Sequence, residues 1–157
     1  MKKFFTFLLS IAASVGTGFL SGYLTRGATA IYNAQAIKPP LNPPALVFPI
    51  VWAILYTLMG ISLALVLTSP KATRDAKFVS TAFFILNLCF CFLWPVWFFI
   101  FGLYWFAFVW LLLLLGTAIL MTLVFSVTSK WAAILQIPYI VWLLFAGYLN
   151  VAVAILN

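Results

Sequence analysis

Lys38-Pro39-Pro40-Leu41-Asn42-Pro43-Pro44-Ala45-Leu46-Val47-Phe48-Pro49-Ile50-Val51-Trp52 sets a proline-rich strap directly against an apolar run. Proline holds φ at about −65° and has no backbone donor, so residues 39–44 cannot lie inside an α-helix. They read as an extended, polyproline-like connection. From Ala45 to Leu67 the chain carries no charge and is apolar enough to enter a bilayer. Phe48, Trp52, Tyr56 and Gly60 recur there at every fourth residue and trace one gradually drifting helix face. A stiff strap rimmed by aromatics at the mouth of a helix bundle can build and cover a ligand pocket. It is the strongest clue to function in the sequence.

Outward from that stretch, the rest of the chain is of the same kind. Of 157 residues, 68% are hydrophobic and 6% charged, a balance from which no water-facing surface can be built. A membrane-crossing helix takes roughly 20 apolar residues. Five such spans fit, at about residues 4–24, 45–67, 78–101, 104–125 and 131–156. The fold class is therefore all-α, a single integral membrane domain of five transmembrane helices. In the first span Ser14, Gly18 and Gly22 form a small-residue face that admits another helix closely. That helix belongs either to a second copy or to the bundle itself. Residues 25–43 are the longest link and the candidate lid, with Ala28–Ile37 fitting a short interfacial helix. Pro95 is expected to kink the third span or end its regular part early, and Pro138 to bend the fifth.

Eight Lys/Arg stand against one acid, Asp75, for a net charge of +7. The charges are scattered singly at span edges rather than gathered in a basic groove, which argues against nucleic-acid binding. Lys2, Lys3, Lys71, Arg74, Lys77 and Lys130 fall on one side, and Arg26 and Lys38 on the other. The positive-inside rule then places the N-terminus in the cytoplasm, most naturally of a bacterial inner membrane, with the strap outside. Met1-Lys2-Lys3-Phe4 begins like a signal peptide, but the apolar stretch that follows is longer than a signal core and reads as an uncleaved span. Cys89 and Cys91, two apart on a helix, point to different faces and read as reduced, buried packing residues.

The chain has no histidine and no glutamate. Acid–base catalysis, a Ser-His-Asp triad and a zinc site lack their usual groups; no catalytic residue, metal or cofactor is expected. What remains is an inventory of aromatics and amides. Asn87, Gln136 and Asn150 lie within spans, where an unpartnered amide is costly, so each is expected to point into the bundle as interhelical glue or ligand contact. Tyr139, Trp142, Ala146 and Asn150 share a face of the last span.

These residues in this order resemble the TspO/translocator protein family, also called tryptophan-rich sensory proteins. The resemblance rests on Gly18-x-x-x-Gly22, on Tyr32 followed by Lys38-Pro39 and Pro43-Pro44, and on Val47-Phe48, Val51-Trp52, Leu55-Tyr56 and Met59-Gly60. It continues through Leu86-Asn87, Pro138-Tyr139-x-x-Trp142-x-x-Phe145-Ala146-x-x-Leu149-Asn150 and Leu156-Asn157. It implies a five-helix bundle, often a homodimer in the bilayer, with a pocket capped by the first long link. The ligands it implies are porphyrins or other planar apolar molecules. The pocket residues it implies are Tyr32 and Pro43 in the lid, Phe48 and Trp52 on span two, Asn87 and Phe90 on span three, and Trp142 and Ala146 on span five. Leu41 stands where the family usually has a tryptophan, Phe90-Cys91 where it has Trp-Ser, and Trp110 where many members carry an aspartate.

The leading expectation is a membrane receptor or transporter for tetrapyrroles. Two alternatives stand beside it: light-dependent porphyrin breakdown by tryptophan chemistry, and a non-catalytic structural or regulatory membrane protein.

Overall fold

A computed structural model describes all 157 residues. Helix α1 spans Lys2–Gln35, α2 Val47–Leu67, α3 Arg74–Pro95, α4 Tyr104–Thr128, α5 Lys130–Ile134 and α6 Ile137–Leu156; a π-helical turn, Val96–Ile100, continues α3. Five stretches are long and apolar enough to cross a membrane: α1, α2, α3 with its π turn, α4, and α5 with α6. The fold is all-α, as the composition requires. Neighbouring helices run α1–α2, α2–α5, α5/α6–α4, α4–α3 and α3–α1, which closes a ring.

Helix α1 differs from the reading of the sequence. It does not stop near Leu24 and restart as an interfacial helix; it runs unbroken to Gln35. No proline interrupts residues 25–35, so nothing ends the hydrogen-bond ladder there. At 1.5 Å per residue such a helix is about 50 Å long, well beyond the hydrocarbon thickness. Its buried residues are Ser10, Ser14, Ser21 and Thr25, while Phe4, Leu8, Phe19 and Leu24 face outward. This inverts the pattern of a soluble protein, because lipid solvates the large side chains and the small hydroxyls permit close packing. Ser14 Oγ donates to the Tyr56 carbonyl of α2 at 2.7 Å, and Ser21 Oγ to the Phe92 carbonyl of α3 at 2.9 Å.

The small-residue face works inside the bundle. A Cβ on Gly18 would fall into the Tyr56 ring, and one on Gly60 would lie 2.5 Å from the Ile11 Cα. Gly22 is not part of this contact; it is exposed, with open space around it.

The strap is also not simply extended. Asn42 N–H donates to the Pro39 carbonyl at 3.2 Å, closing a turn with Leu41 at φ 64°. Proline second and a left-handed residue third is the type II pattern, which favours glycine in the third place. Leucine there costs on the order of 1 kcal/mol.

At Gly102 the φ of 62° suits glycine and turns the chain from the π turn into α4. Pro95 ends the regular part of α3, and the π turn takes over. Pro138 does more than bend its span. It occupies the first turn of a new helix, and residues 135–136 separate α5 from α6. Proline is tolerated in a first turn because its missing N–H has no intrahelical acceptor there. Of the two cysteines, both free, Cys91 is buried as expected but Cys89 faces outward.

Candidate functional site

Helix α2 serves two neighbours in turn. Steps of four residues advance the facing direction by about 40° each. Near its start Phe48 meets Trp142 of α6 edge-on at 5.9 Å, and Trp52 meets Tyr139 at 6.3 Å. Farther along, Tyr56 covers Gly18 and Gly60 meets Ile11 on α1. Trp52 and Tyr56 rings lie 5.5 Å apart, so the aromatic line is continuous. Trp142 also packs on Phe145 at 5.6 Å. Its indole Nε1–H is buried without a hydrogen-bond partner. Ala146, one turn on from Trp142, is half-buried against the same core.

Asn87 holds the centre of a polar seam. It is fully buried. Its Nδ2 donates to Thr117 Oγ1 at 2.9 Å and to the Leu114 carbonyl at 3.3 Å, both on α4. Its Oδ1 accepts from the Tyr139 hydroxyl at 2.8 Å, and Cys91 Sγ lies 3.0 Å from the same hydroxyl. Two turns on, Trp94 Nε1 donates to Asn150 Oδ1 at 3.2 Å, and Asn150 Nδ2 donates to the Tyr104 carbonyl at 2.8 Å. Asn87, Cys91 and Trp94 thus share the face of α3 that meets α6. The pairs Asn87–Tyr139 and Trp94–Asn150 advance in the same direction, so these helices run parallel.

The eight residues implied as a pocket do not all converge. Phe48, Trp52 and Trp142 gather between α2 and α6, with Ala146 one turn on from Trp142. Asn87 lies beneath them, already bonded to two helices. Phe90 packs on Trp110 at 4.7 Å, and its carbonyl accepts the Trp110 indole N–H at 3.0 Å. Trp110 therefore ties α4 to α3. Tyr32 stands apart in a second aromatic cluster, edge-on to Phe98 and Phe99 at 5.4 and 5.2 Å. Pro43 is half-buried in the strap, its carbonyl accepting from Asn42 Nδ2 at 3.0 Å.

Two hollows open elsewhere. One of about 490 Å³ is an apolar groove between α4 and α6, lined by Leu111, Leu115, Leu143, Gly147 and Val151 among others. The other, about 390 Å³, lies beside Tyr32, Gln35, Phe99, Tyr104 and Asn157. Neither is lined by Phe48, Trp52 or Trp142.

A latch on the strap was not legible from the sequence. Asn157 Oδ1 accepts from the Ile37 N–H at 2.9 Å, and its Nδ2 donates to the Ile37 carbonyl at 3.1 Å. Tyr148 Oη donates to the Pro40 carbonyl at 2.9 Å. Partners 108 and 120 residues apart leave no local signal. Asn157→Ala combined with Tyr148→Phe removes all three bonds without touching the α2–α6 aromatics. Deuterium uptake at the Ile37 amide is expected to rise about tenfold, the equivalent of one lost hydrogen bond. Unchanged uptake would show that the strap is held by other means.

Five membrane-crossing helices, lipid-facing leucines and phenylalanines, and buried hydroxyls and amides define an integral multi-pass membrane protein. Within that class, the chain belongs to the TspO/MBR family, whose model matches residues 10–156. It is 32% identical to "Tryptophan-rich protein TspO" of Chlorobaculum tepidum, across 99% of this chain and 98% of the relative. The protein of the same name from Archaeoglobus fulgidus is 33% identical, across 94% of each chain. "Translocator protein" of Bos taurus is 32% identical, across 85% of this chain and 79% of the relative. The resemblance drawn from the ordered motifs is thereby borne out.

Proposed function

We propose that the protein is a membrane receptor or transporter that takes planar, largely apolar tetrapyrroles between α2 and α6, beneath the strap. The observation that carries this reading is the Phe48–Trp142 and Trp52–Tyr139 ring pairs across α2 and α6, with the unpartnered, buried Trp142 N–H. Aromatic edges and faces suit a conjugated macrocycle, and a lone donor suits an acceptor on its rim. Phe48 packs edge-on against Trp142 and Trp52 against Tyr139, so a ligand that enters between these pairs displaces the rings. A strap held by a few polar contacts at Ile37 and Pro40 is the natural element to yield. Lys/Arg distribution supports a cytoplasmic N-terminus with the strap on the opposite side.

Quenching of the intrinsic fluorescence of the seven tryptophans by protoporphyrin IX, with the protein in detergent, tests the reading. Trp52→Ala and Trp142→Ala are each expected to weaken binding at least about tenfold, or 1.4 kcal/mol. Phe90→Ala, which disturbs the α3–α4 contact instead, is expected to weaken it less. Full affinity in both tryptophan variants would rule out this site.

A further inference from the structure

Three buried polar side chains in the other half of the bundle have no partner in the protein. Ser62 on α2, Ser80 on α3 and Gln136 at the α5/α6 break are each 0% exposed. None of Ser62 Oγ, Ser80 Oγ, Gln136 Oε1 and Gln136 Nε2 makes a hydrogen bond. The serines could bond the carbonyl four residues back, as Ser14, Thr57, Thr81 and Thr122 do, but they do not.

Their positions coincide in depth. Ser62 is five residues from the end of α2, Ser80 six from the start of α3, and Gln136 six from the start of α5. Each therefore lies about 8–9 Å along its helix from the end nearest Lys71, Arg74, Lys77 or Lys130. Each also points into the bundle: Val66, Phe84, Ala132 and Tyr139, one turn away from them on the same faces, all belong to the buried core. Helix α2 packs against both α3 and α5.

We infer that Ser62, Ser80 and Gln136 surround an internal water site, in which one or a few water molecules bridge α2, α3 and the α5/α6 break. Water suits the set because it both donates and accepts, and a buried water typically uses about three polar partners. Two hydroxyls and an amide carry no net charge, so the site makes no demand for an ion. It lies on the far side of Asn87 from the strap and is separate from the α2–α6 aromatic group.

The chain has only two glutamines, Gln35 and Gln136, which makes a direct test simple. The full chain, labelled with ¹⁵N-glutamine and carrying Gln35→Asn, is reconstituted in lipid bilayers. Water-edited solid-state NMR is then read at the one remaining side-chain amide. Rapid transfer of water magnetisation to Gln136 Nε2, despite its complete burial, is the expected result; no transfer overturns the inference. A second measurement is the unfolding midpoint of Gln136→Met in detergent. A bridging water predicts a fall of about 2–4 °C, the shift for roughly one lost hydrogen bond in a domain of this size. A dry, orphaned amide predicts a rise, because methionine removes the unmet polar group, and a rise would equally overturn the inference.

Discussion

Gly60→Leu is expected to detach α1 from α2 and cost about 3 kcal/mol or more. The Cβ alone would sit 2.5 Å from the Ile11 Cα, 2.8 Å from the Ile11 nitrogen and 2.8 Å from the Ser10 carbonyl oxygen. All three are backbone atoms of a helix and cannot swing aside as a side chain tip can. Overpacking of a core by extra methylenes typically costs about 1–3 kcal/mol when side chains absorb it. Here α1 as a whole must move, and the Ser14 bond to the Tyr56 carbonyl goes with it. The control is Gly116→Ala on α4, where the added Cβ meets nothing within 4 Å. That substitution is expected to be neutral or to stabilise by up to about 1 kcal/mol, from helix propensity alone. Unfolding by SDS titration, followed by circular dichroism, separates the two. Similar effects from both would mean that the α1–α2 contact is not as close as the geometry has it.

Asn87→Leu is expected to cost about 2–4 kcal/mol. Asn87 bonds Thr117 and Leu114 on α4 and Tyr139 on α6. Interhelical bonds within membranes average about 0.6 kcal/mol and reach about 1.7 kcal/mol, and leaving the Tyr139 hydroxyl short of a partner adds to the loss. Tyr139→Phe alone is expected to cost about 1 kcal/mol. The double variant should then cost less than the sum, because no buried group is left waiting for its partner. Strict additivity would argue that the two side chains act separately. In the site proposed above, Asn87 would act through Tyr139, to which it is hydrogen-bonded. Its loss should weaken porphyrin binding by loosening Tyr139, against which Trp52 packs.

Much of this was open to reading from the residues. Five runs of about 20 continuously apolar residues read as helices, because barrel strands are about half as long and alternate in polarity. The fourfold spacing of Phe48, Trp52, Tyr56 and Gly60 identified the working face of α2. The burial of Asn87, Gln136 and Asn150 followed from the cost of an amide in hydrocarbon. What misled was local punctuation. Residues 25–35 looked like a link because the chain turns more polar there, but nothing in them breaks a helix. Gly22 matched a small-residue motif that the neighbouring helix uses only at Gly18. The four strap prolines on either side of Asn42 suggested an extended run, although the i-to-i+3 bond across Pro40-Leu41 folds it.

The sequence by itself determined the solvent, the number of spans and which side chains must hide, because those follow from transfer free energies summed along the chain. The tertiary structure alone decided which hidden groups meet. Asn87 pairs with Tyr139 across 52 residues, Asn157 clamps Ile37 across 120, and the Gln136 amide hydrogen-bonds to no group of the protein. Hydrogen bonds between helices depend on rotation and depth to within a fraction of an ångström. Those are properties of the packed bundle, to which each helix contributes and which none specifies alone.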